Sequence, residues 1–389
     1  MRGHIRRRSR DTWAVVIDVG RDATGKRRQK WHTVKGTKRA AQQELTRLLN
    51  QLQTGIYVEP SKLTVSDFLK RWLNDYAKTT VSPKTFERYK EIVERNLDPA
   101  LGGHYLPKLK PIHIQAYYSD ALQNGRKSGK GGLSGTTVLQ HHRILRQALK
   151  HAVRWQLLVV NPADAVDAPR RSTVEIQPPD TEAIATLLSL SKGIRLHFPI
   201  LLAVTTGMRR GEILGLRWDD VDVKRKTLSV RRSLCQTRSG VTAKVPKTSK
   251  ANRIVALPTL LIEELRTHKS RQAQHRLQVG AAYANNDLVC PDELGGFWPP
   301  NNLTSAFRHF VKQNELPQVR FHDLRHSHAT QLLKQGIHPK IVSERLGHST
   351  IGITLDTYSH VLPGMQEEAA LKIDMCIRSA IDGAQLKSV

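Results

Sequence analysis

Cysteine is scarce in this chain: Cys235, Cys290 and Cys376 are the only three, scattered and with no CxxC pair. That argues against a disulfide framework or a cysteine-rich zinc site and fits a reducing cytoplasm. Acidic residues are also few. Asp and Glu total 34 against 62 Lys and Arg, a formal net charge of +28. A balance that basic points to a polyanionic partner, most simply a nucleic acid, but by itself says nothing about mechanism. Aromatic residues make up only 5%, yet 39% of the chain is hydrophobic, enough for packed cores. No apolar run approaches the roughly 20 residues of a membrane-spanning helix. The basic N-terminus is not followed by the apolar stretch of a secretory signal. The expectation is a cytoplasmic protein with no membrane partner, and 389 residues point to two or three domains.

Residues 1–60 read as a small basic module. Trp13, Val15, Ile17 and Val19 alternate as in a half-buried strand, Asp22-Ala23-Thr24-Gly25 forms a turn, and Gln29–Val34 returns. Thr37 caps a helix over Lys38–Thr54 whose inner face carries Leu45, Leu48, Leu49 and Leu52. Arg6, Arg7, Arg8, Arg27, Arg28 and Lys30 surround this sheet. Residues 64–167 change character and become helical, with start signals at Ser66 and Ser82-Pro83. Further helices are expected over Pro111–Leu122 and Thr136–Trp155. Residues 168–180, rich in proline and without apolar periodicity, read as a linker. Residues 181–389 form a mixed α/β unit, mostly helical. Helices are expected over His197–Thr206, Pro258–Leu277, Leu303–Gln313, Asp323–Gln335 and Pro339–Leu346, and strands over Thr227–Arg232, Val241–Val245 and Asn252–Leu257.

The last unit holds the residues that carry chemistry. Thr206-Gly207-Met208-Arg209-Arg210-Gly211-Glu212 lies upstream; His322-Asp323-Leu324-Arg325-His326, then Gly347-His348-Ser349, lie downstream, and Tyr358 follows His348 by ten residues. Two arginines, two imidazoles and a phenol are suited to gripping a phosphodiester while a tyrosine attacks its phosphorus. With a pKa near 10, ionising a phenol at pH 7 costs about 4 kcal/mol. The anionic phosphodiester gains charge on its non-bridging oxygens in the transition state, so donors and positive charge must converge there. Arginine, always protonated and bidentate, fits that need. Glu212, one helical turn after Arg209, is placed to orient an arginine. Imidazoles titrate near neutrality and can donate hydrogen bonds or move protons. His322 and His326, four apart, also approach the zincin spacing His-Glu-x-x-His. Here the acid is one carbon shorter and no third ligand is evident, so no metal is expected.

In this order and spacing the residues resemble the tyrosine recombinases, specifically the phage-type integrases. The resemblance implies a small β-sheet-plus-helix domain over 1–60 that binds arm-type DNA. It implies an all-α core-binding (SAM-like) domain over 64–167 and a mixed α/β, mainly helical catalytic domain over 181–389, ending in a tail helix. It implies catalytic roles for Arg209, Lys247, His322, Arg325, His348 and Tyr358, the last forming a covalent 3′-phosphotyrosine. Family members place a proton-donating lysine on a β-hairpin. Lys247, in the turn between the second and third expected strands, matches best, with Lys244 and Lys250 as close neighbours. The implied partners are double-stranded DNA attachment sites, three further copies of the chain in a tetramer, a DNA-bending host factor and a directionality factor. Two alternatives stay open: a type IB topoisomerase-like enzyme, and a non-catalytic architectural DNA-binding protein. A tail helix over Gln366–Ile381 carries an apolar stripe of Ala370, Ile373, Ile377 and Ala380. It docks either on its own catalytic domain or on a neighbouring subunit.

Overall fold

The computed structural model describes every residue except 1–2, 22–23, 55–56, 58–60, 127–128, 130, 172–177, 245–251, 359–369 and 380–389. The chain divides into two compact units, Met1–Val174 and Glu175–Val389.

The first unit opens with an antiparallel sheet in the order β1 (Gly3–Ser9), β2 (Thr12–Arg21), β3 (Arg27–Lys35). Helix α1 (Lys38–Gln53) follows, capped by Thr37, whose hydroxyl accepts from the Ala40 N–H. Strand β1 is not anticipated by hydrophobic periodicity, because on the face it shares with Val15 and Ile17 it carries Gly3, Ile5 and Arg7, only one of them a large apolar residue. The alternation expected for β2 also differs from what forms: Ala14, Val15, Val16 and Ile17 are all buried. Val15 and Ile17 pack on Ala41, Leu45 and Leu48 of α1. Ala14 and Val16 occupy the opposite face of the central strand, where their cross-strand neighbours are His4, Arg6, Trp31 and Thr33.

Next come four long helical stretches. Helix α2 (Val65–Trp72) continues through a π-helical turn (Leu73–Ala77) into α3 (Lys78–Thr80). Likewise α4 (Pro83–Ile92) runs through Val93–Leu97 into α5 (Asp98–Leu101). Helices α6 (Pro111–Asn124) and α7 (Gly135–Arg154) complete the group. The start of α2 is capped by Thr64 rather than Ser66: the Thr64 hydroxyl takes the Asp67 N–H, ahead of the expected cap. Ser82 and Pro83 start α4 as expected. Phe68, Leu69, Trp72, Ile114 and Leu145 fill the core. Helix α7 buries three histidines there, each paired: His141 with the Tyr117 hydroxyl, His142 with the Tyr118 hydroxyl, and His151 with the Trp72 N–H.

The second unit contains α8 (Thr181–Leu190), α9 (His197–Thr206) and the short α10 (Arg210–Leu214). A three-stranded antiparallel sheet has the order β4 (Val221–Asp222), β5 (Thr227–Val230), β8 (Arg253–Ala256), and β6 (Ser233–Thr237) pairs with β7 (Gly240–Lys244) as a separate hairpin. This corrects one expectation. The strands on either side of Lys247 belong to different sheets, β7 pairing back to β6 and β8 pairing with β5. Lys247 itself lies outside the described residues. Helices α11 (Thr259–Val279), α12 (Pro300–Gln313), α13 (Asp323–Lys334), α14 (Pro339–Leu346) and α15 (Ile351–Tyr358) follow. A last helix, α16, covers 370–379. Its Leu371, Ile373, Met375 and Ile377 are all more than half exposed, at 63%, 62%, 70% and 53%.

Candidate active site

Two helix ends build the site. Helix α9 stops at Gly207, whose φ of 66° is left-handed. A Cβ there would meet Leu346 at 2.6 Å and His328 at 2.7 Å, so both the backbone angle and the space demand glycine. Helix α14 stops in the same way at Gly347, with φ 68°. Carbonyls at a helix C-terminus lack intrahelical partners and carry partial negative charge, which favours cations. Three arginines collect there. Arg325 donates to the Gly207 carbonyl at 2.6 Å and the Leu346 carbonyl at 2.8 Å. Arg209 donates to the Gly347 carbonyl at 3.2 Å, and Arg253 to the Arg345 carbonyl at 2.7 Å.

One carboxylate ties two of them together. Glu212 accepts the Arg209 backbone N–H and guanidinium, both at 2.9 Å, and two N–H groups of Arg253 at 2.8 and 3.3 Å. It is buried at 3% exposure. Burial pushes its carboxyl up, but the Arg253 hydrogen bonds and the charges of Arg253 and Arg209 outweigh that and hold it below its ordinary 4.5. Arg325 is as deeply buried. Burial, reinforced by the charge of Arg209, pushes its guanidinium down to about 9, still protonated at neutral pH. Three guanidiniums therefore face one carboxylate, and the pocket keeps an excess of positive charge.

The imidazoles and the phenol stand beside it. His322, at the start of α13, and His348, just after the α14 stop, are both pushed down to about 4, by burial first and then by neighbouring groups that include Arg325 and Arg209. Both are neutral at pH 7. His348 Nδ1 lies 2.7 Å from the Thr354 hydroxyl, which is fully buried in α15. Tyr358, the last residue of α15, lies in a buried cluster with Ala329, Leu333, Val342 and Leu346. Burial pushes its phenol up to about 12, against the charge of Arg325. Its hydroxyl lies 2.7 Å from His326 Nδ1.

Arg209, Glu212, His322, Arg325, His348 and Tyr358 thus come together in one place from α9–α10, α13, α14 and α15. Four residues of this surrounding are not singled out by the sequence. Arg253 is an arginine at the head of a strand with no local signal. Thr354 lies on a helix, α15, that periodicity does not mark. His328 and Arg345 form a strut in which Arg345 Nε donates to His328 Nε2 at 3.0 Å and His328 Nδ1 bonds the Val204 carbonyl at 2.9 Å. His326, whose spacing from His322 suggested only a metal ligand, touches the phenol. Among the described residues no group of three or more His, Cys, Asp or Glu side chains could hold a metal ion.

The basic residues of the N-terminal sheet are spread over both faces. Arg6 faces away from α1, and Arg8 lies 5.9 Å from the ring centre of the half-exposed Trp31. Arg7 turns its guanidinium to the Ser9 and Arg10 carbonyls. Arg27 pairs with Asp18 at 2.5 Å, and Arg28 and Lys30 lie along β3.

The chain is similar to known proteins in sequence and in fold. Residues 176–364 match the phage integrase family, and residues 64–122 match the phage integrase N-terminal SAM-like domain. Among solved structures, the Tn1549 transposon integrase in complex with a circular intermediate DNA superposes with a TM-score of 0.66 at 20% identity, covering 80% of this chain and 99% of that one. A lambda integrase tetramer bound to a Holliday junction gives 0.57 at 18% identity, covering 91% of this chain and 94% of that one. At those identities the likeness is one of fold. The tyrosine recombinase XerC-like protein of Caldanaerobacter subterraneus is 31% identical, over 92% of this chain and 95% of its own length. The chain therefore belongs to the phage integrase family, the tyrosine recombinases, and is an enzyme of DNA recombination.

Proposed function

We propose that Tyr358 attacks a DNA phosphodiester and joins covalently to its 3′-phosphate while Arg209, Arg325, His322 and His348 hold that phosphate. The observation that carries this reading is the unbalanced charge of the pocket that the phenol adjoins through Arg325: Arg209, Arg253 and Arg325 against Glu212. An anion with two non-bridging oxygens would complete it. Arg325 is fixed by its two carbonyl bonds with its planar fork set in place, and half-exposed Arg209 reaches the same spot. Positive charge fixed before the substrate arrives needs no reorganisation as the transition state forms. His322 and His348, neutral at pH 7, donate N–H bonds to the same oxygens. Lys247 protonates the leaving 5′-oxygen. A 5′-hydroxyl from a partner strand reverses the step, and the phosphotyrosine bond conserves the phosphoester energy, so no cofactor is required.

On this reading residues 1–60 bind arm-type sites through Arg6, Arg7, Arg8, Arg27, Arg28 and Lys30, residues 64–167 clamp the core site, and 168–180 link them to the catalytic domain at 181–389. Four copies assemble on two duplexes to integrate or excise a phage or other mobile element, with a DNA-bending host factor and a directionality factor as further partners. The exposed apolar side chains of α16 support docking on a neighbouring copy.

The test is a nicked suicide substrate resolved on a denaturing gel. Wild type accumulates a protein–DNA adduct. Tyr358→Phe binds the same DNA with near-normal affinity and forms none, because only the nucleophilic oxygen is gone. Lys247→Ala cleaves slowly, and a 5′-bridging sulfur restores it, since a thiolate leaves without a proton. An adduct that persists in Tyr358→Phe overturns the reading. Rescue of Lys244→Ala or Lys250→Ala instead moves the acid to that lysine.

A further inference from the structure

We propose that His326 is the base that takes the proton of Tyr358 as the phenol attacks; this rests on Tyr358 being the nucleophile. The Tyr358 hydroxyl and His326 Nδ1 are 2.7 Å apart, with ring centres 5.7 Å apart and planes at 55°. A phenol has one hydrogen to give. In the imidazole tautomer protonated on Nε2, Tyr358 donates and Nδ1 accepts. That separation is within reach for direct proton transfer.

The surroundings hold the pair in place. Tyr358 is 3% exposed and lies in a buried cluster with Ala329 and Leu333, which share helix α13 with His326. The neighbouring imidazoles are committed elsewhere: His348 Nδ1 to Thr354, and both nitrogens of His328 to Val204 and Arg345. The His322 ring meets His326 edge to face, 4.9 Å between centres. The charged groups facing His326 are Asp323, Arg325 and Arg320; the carboxylate favours the imidazolium and the two arginines oppose it. Burial keeps the free imidazole below its ordinary 6.5, so Nδ1 is open to a proton at pH 7. A phenol pushed up to about 12 needs such an acceptor.

In the attack the Tyr358 O–H bond breaks and its proton moves to Nδ1. The tyrosine oxygen bonds phosphorus while the bond from phosphorus to the 5′-oxygen breaks. That oxygen leaves with the electron pair and takes a proton from the general acid. On rejoining, His326 returns its proton to the departing Tyr358 oxygen.

Single-turnover cleavage of the nicked substrate tests the assignment. His326→Ala removes the acceptor, whereas His326→Asn keeps an acceptor oxygen near the Nδ1 position without basicity. Both should cleave about 100-fold more slowly or worse, with unchanged site binding and melting temperature. Installing a fluorinated tyrosine, a more acidic phenol, at position 358 should erase most of that difference between His326 and its variants. The wild-type rate should also fall as pH drops through the His326 pKa, where the base is already protonated, and that limb should vanish in His326→Asn. Cleavage by His326→Asn at the wild-type rate would show that His326 only holds the ring. A loss undiminished by fluorotyrosine would overturn proton transfer, and an unaffected His326→Ala would overturn any role. Each of these leaves the adduct at Tyr358 intact; absence of an adduct in wild type would instead remove the nucleophile itself.

Discussion

The two halves of the active site are anchored differently. The half proposed to grip the phosphate is woven into the fold: Arg209, Arg253 and Arg325 bond carbonyls at the ends of α9 and α14, and Glu212 ties two of them together. The half that carries the proposed nucleophile, Tyr358, is an eight-residue helix, α15, whose buried tyrosine lies in a small cluster separate from the main core. Ile351, Ile353 and Leu355 on that helix stay partly exposed. The contrast shows where each kind of cost falls. A pocket for a dianion-like transition state is a set of mutually repelling cations, so it must be locked by the structure around it. A nucleophile needs only one oxygen in place.

Among the residues proposed to hold the phosphate, the largest expected effect on cleavage is at Arg325. Arg325→Ala should lower cleavage on the order of 1000-fold, as loss of a fixed donor to a developing oxyanion does. It should also cost about 2–4 kcal/mol of stability, because the Gly207 and Leu346 carbonyls lose buried partners. Urea titration beside the cleavage assay reads both. Tyr358→Phe should lose the activity without a comparable stability loss, and an equal loss in the two variants would break the comparison.

Glu212→Ala comes next, costing about 3–5 kcal/mol, because the buried Arg253 charge loses its counter-ion. Its pH dependence has a defined sign. The folded pKa of Glu212 lies below 4.5, so its stabilisation is complete above pH 4.5 and is lost as pH falls through the lowered value. Acid unfolding curves of wild type and Glu212→Gln should converge there. A constant gap from pH 7 downward would contradict the ion-pair account.

Thr354→Val is milder. It keeps the shape of a fully buried residue but removes the oxygen beside His348 Nδ1, costing about 1 kcal/mol. Cleavage should slow while DNA binding holds, and an unchanged rate would show that His348 needs no orienting partner. The smallest stability change is expected for Ile373→Asp with Ile377→Asp. Both sites are exposed, so the monomer should stay within about 0.5 kcal/mol of wild type. Tetramers on a native gel should nonetheless be lost. A clear drop in monomer stability would place the helix on its own catalytic domain instead.

Local signals made some of this arrangement legible from sequence. Gly207 and Gly347 end α9 and α14, and His197–Thr206 and Pro339–Leu346 match to the residue. The motif residues could be picked out because each sits in a short, distinctive run. What escaped depends on partners distant in sequence. Arg253 acquires meaning only when β8 pairs with β5 and brings it to Glu212, 41 residues earlier. Strand β1 hides because its cations interrupt the apolar alternation. His326, adjacent to Arg325 in sequence, becomes notable only when α15 delivers a phenol 32 residues later to its Nδ1. Sheet membership around Lys247 escaped for the same reason, since strand order is not written in the strands' own composition.

The central claim is that one particular oxygen joins the DNA. Trapping the adduct on a nicked substrate, digesting the DNA to a short remnant and the protein with trypsin, and sequencing the modified peptide by mass spectrometry tests it directly. The nucleotide remnant should sit on Tyr358, within the peptide that begins after Arg345. A remnant on any other residue, or an adduct of equal yield from Tyr358→Phe, would contradict the account.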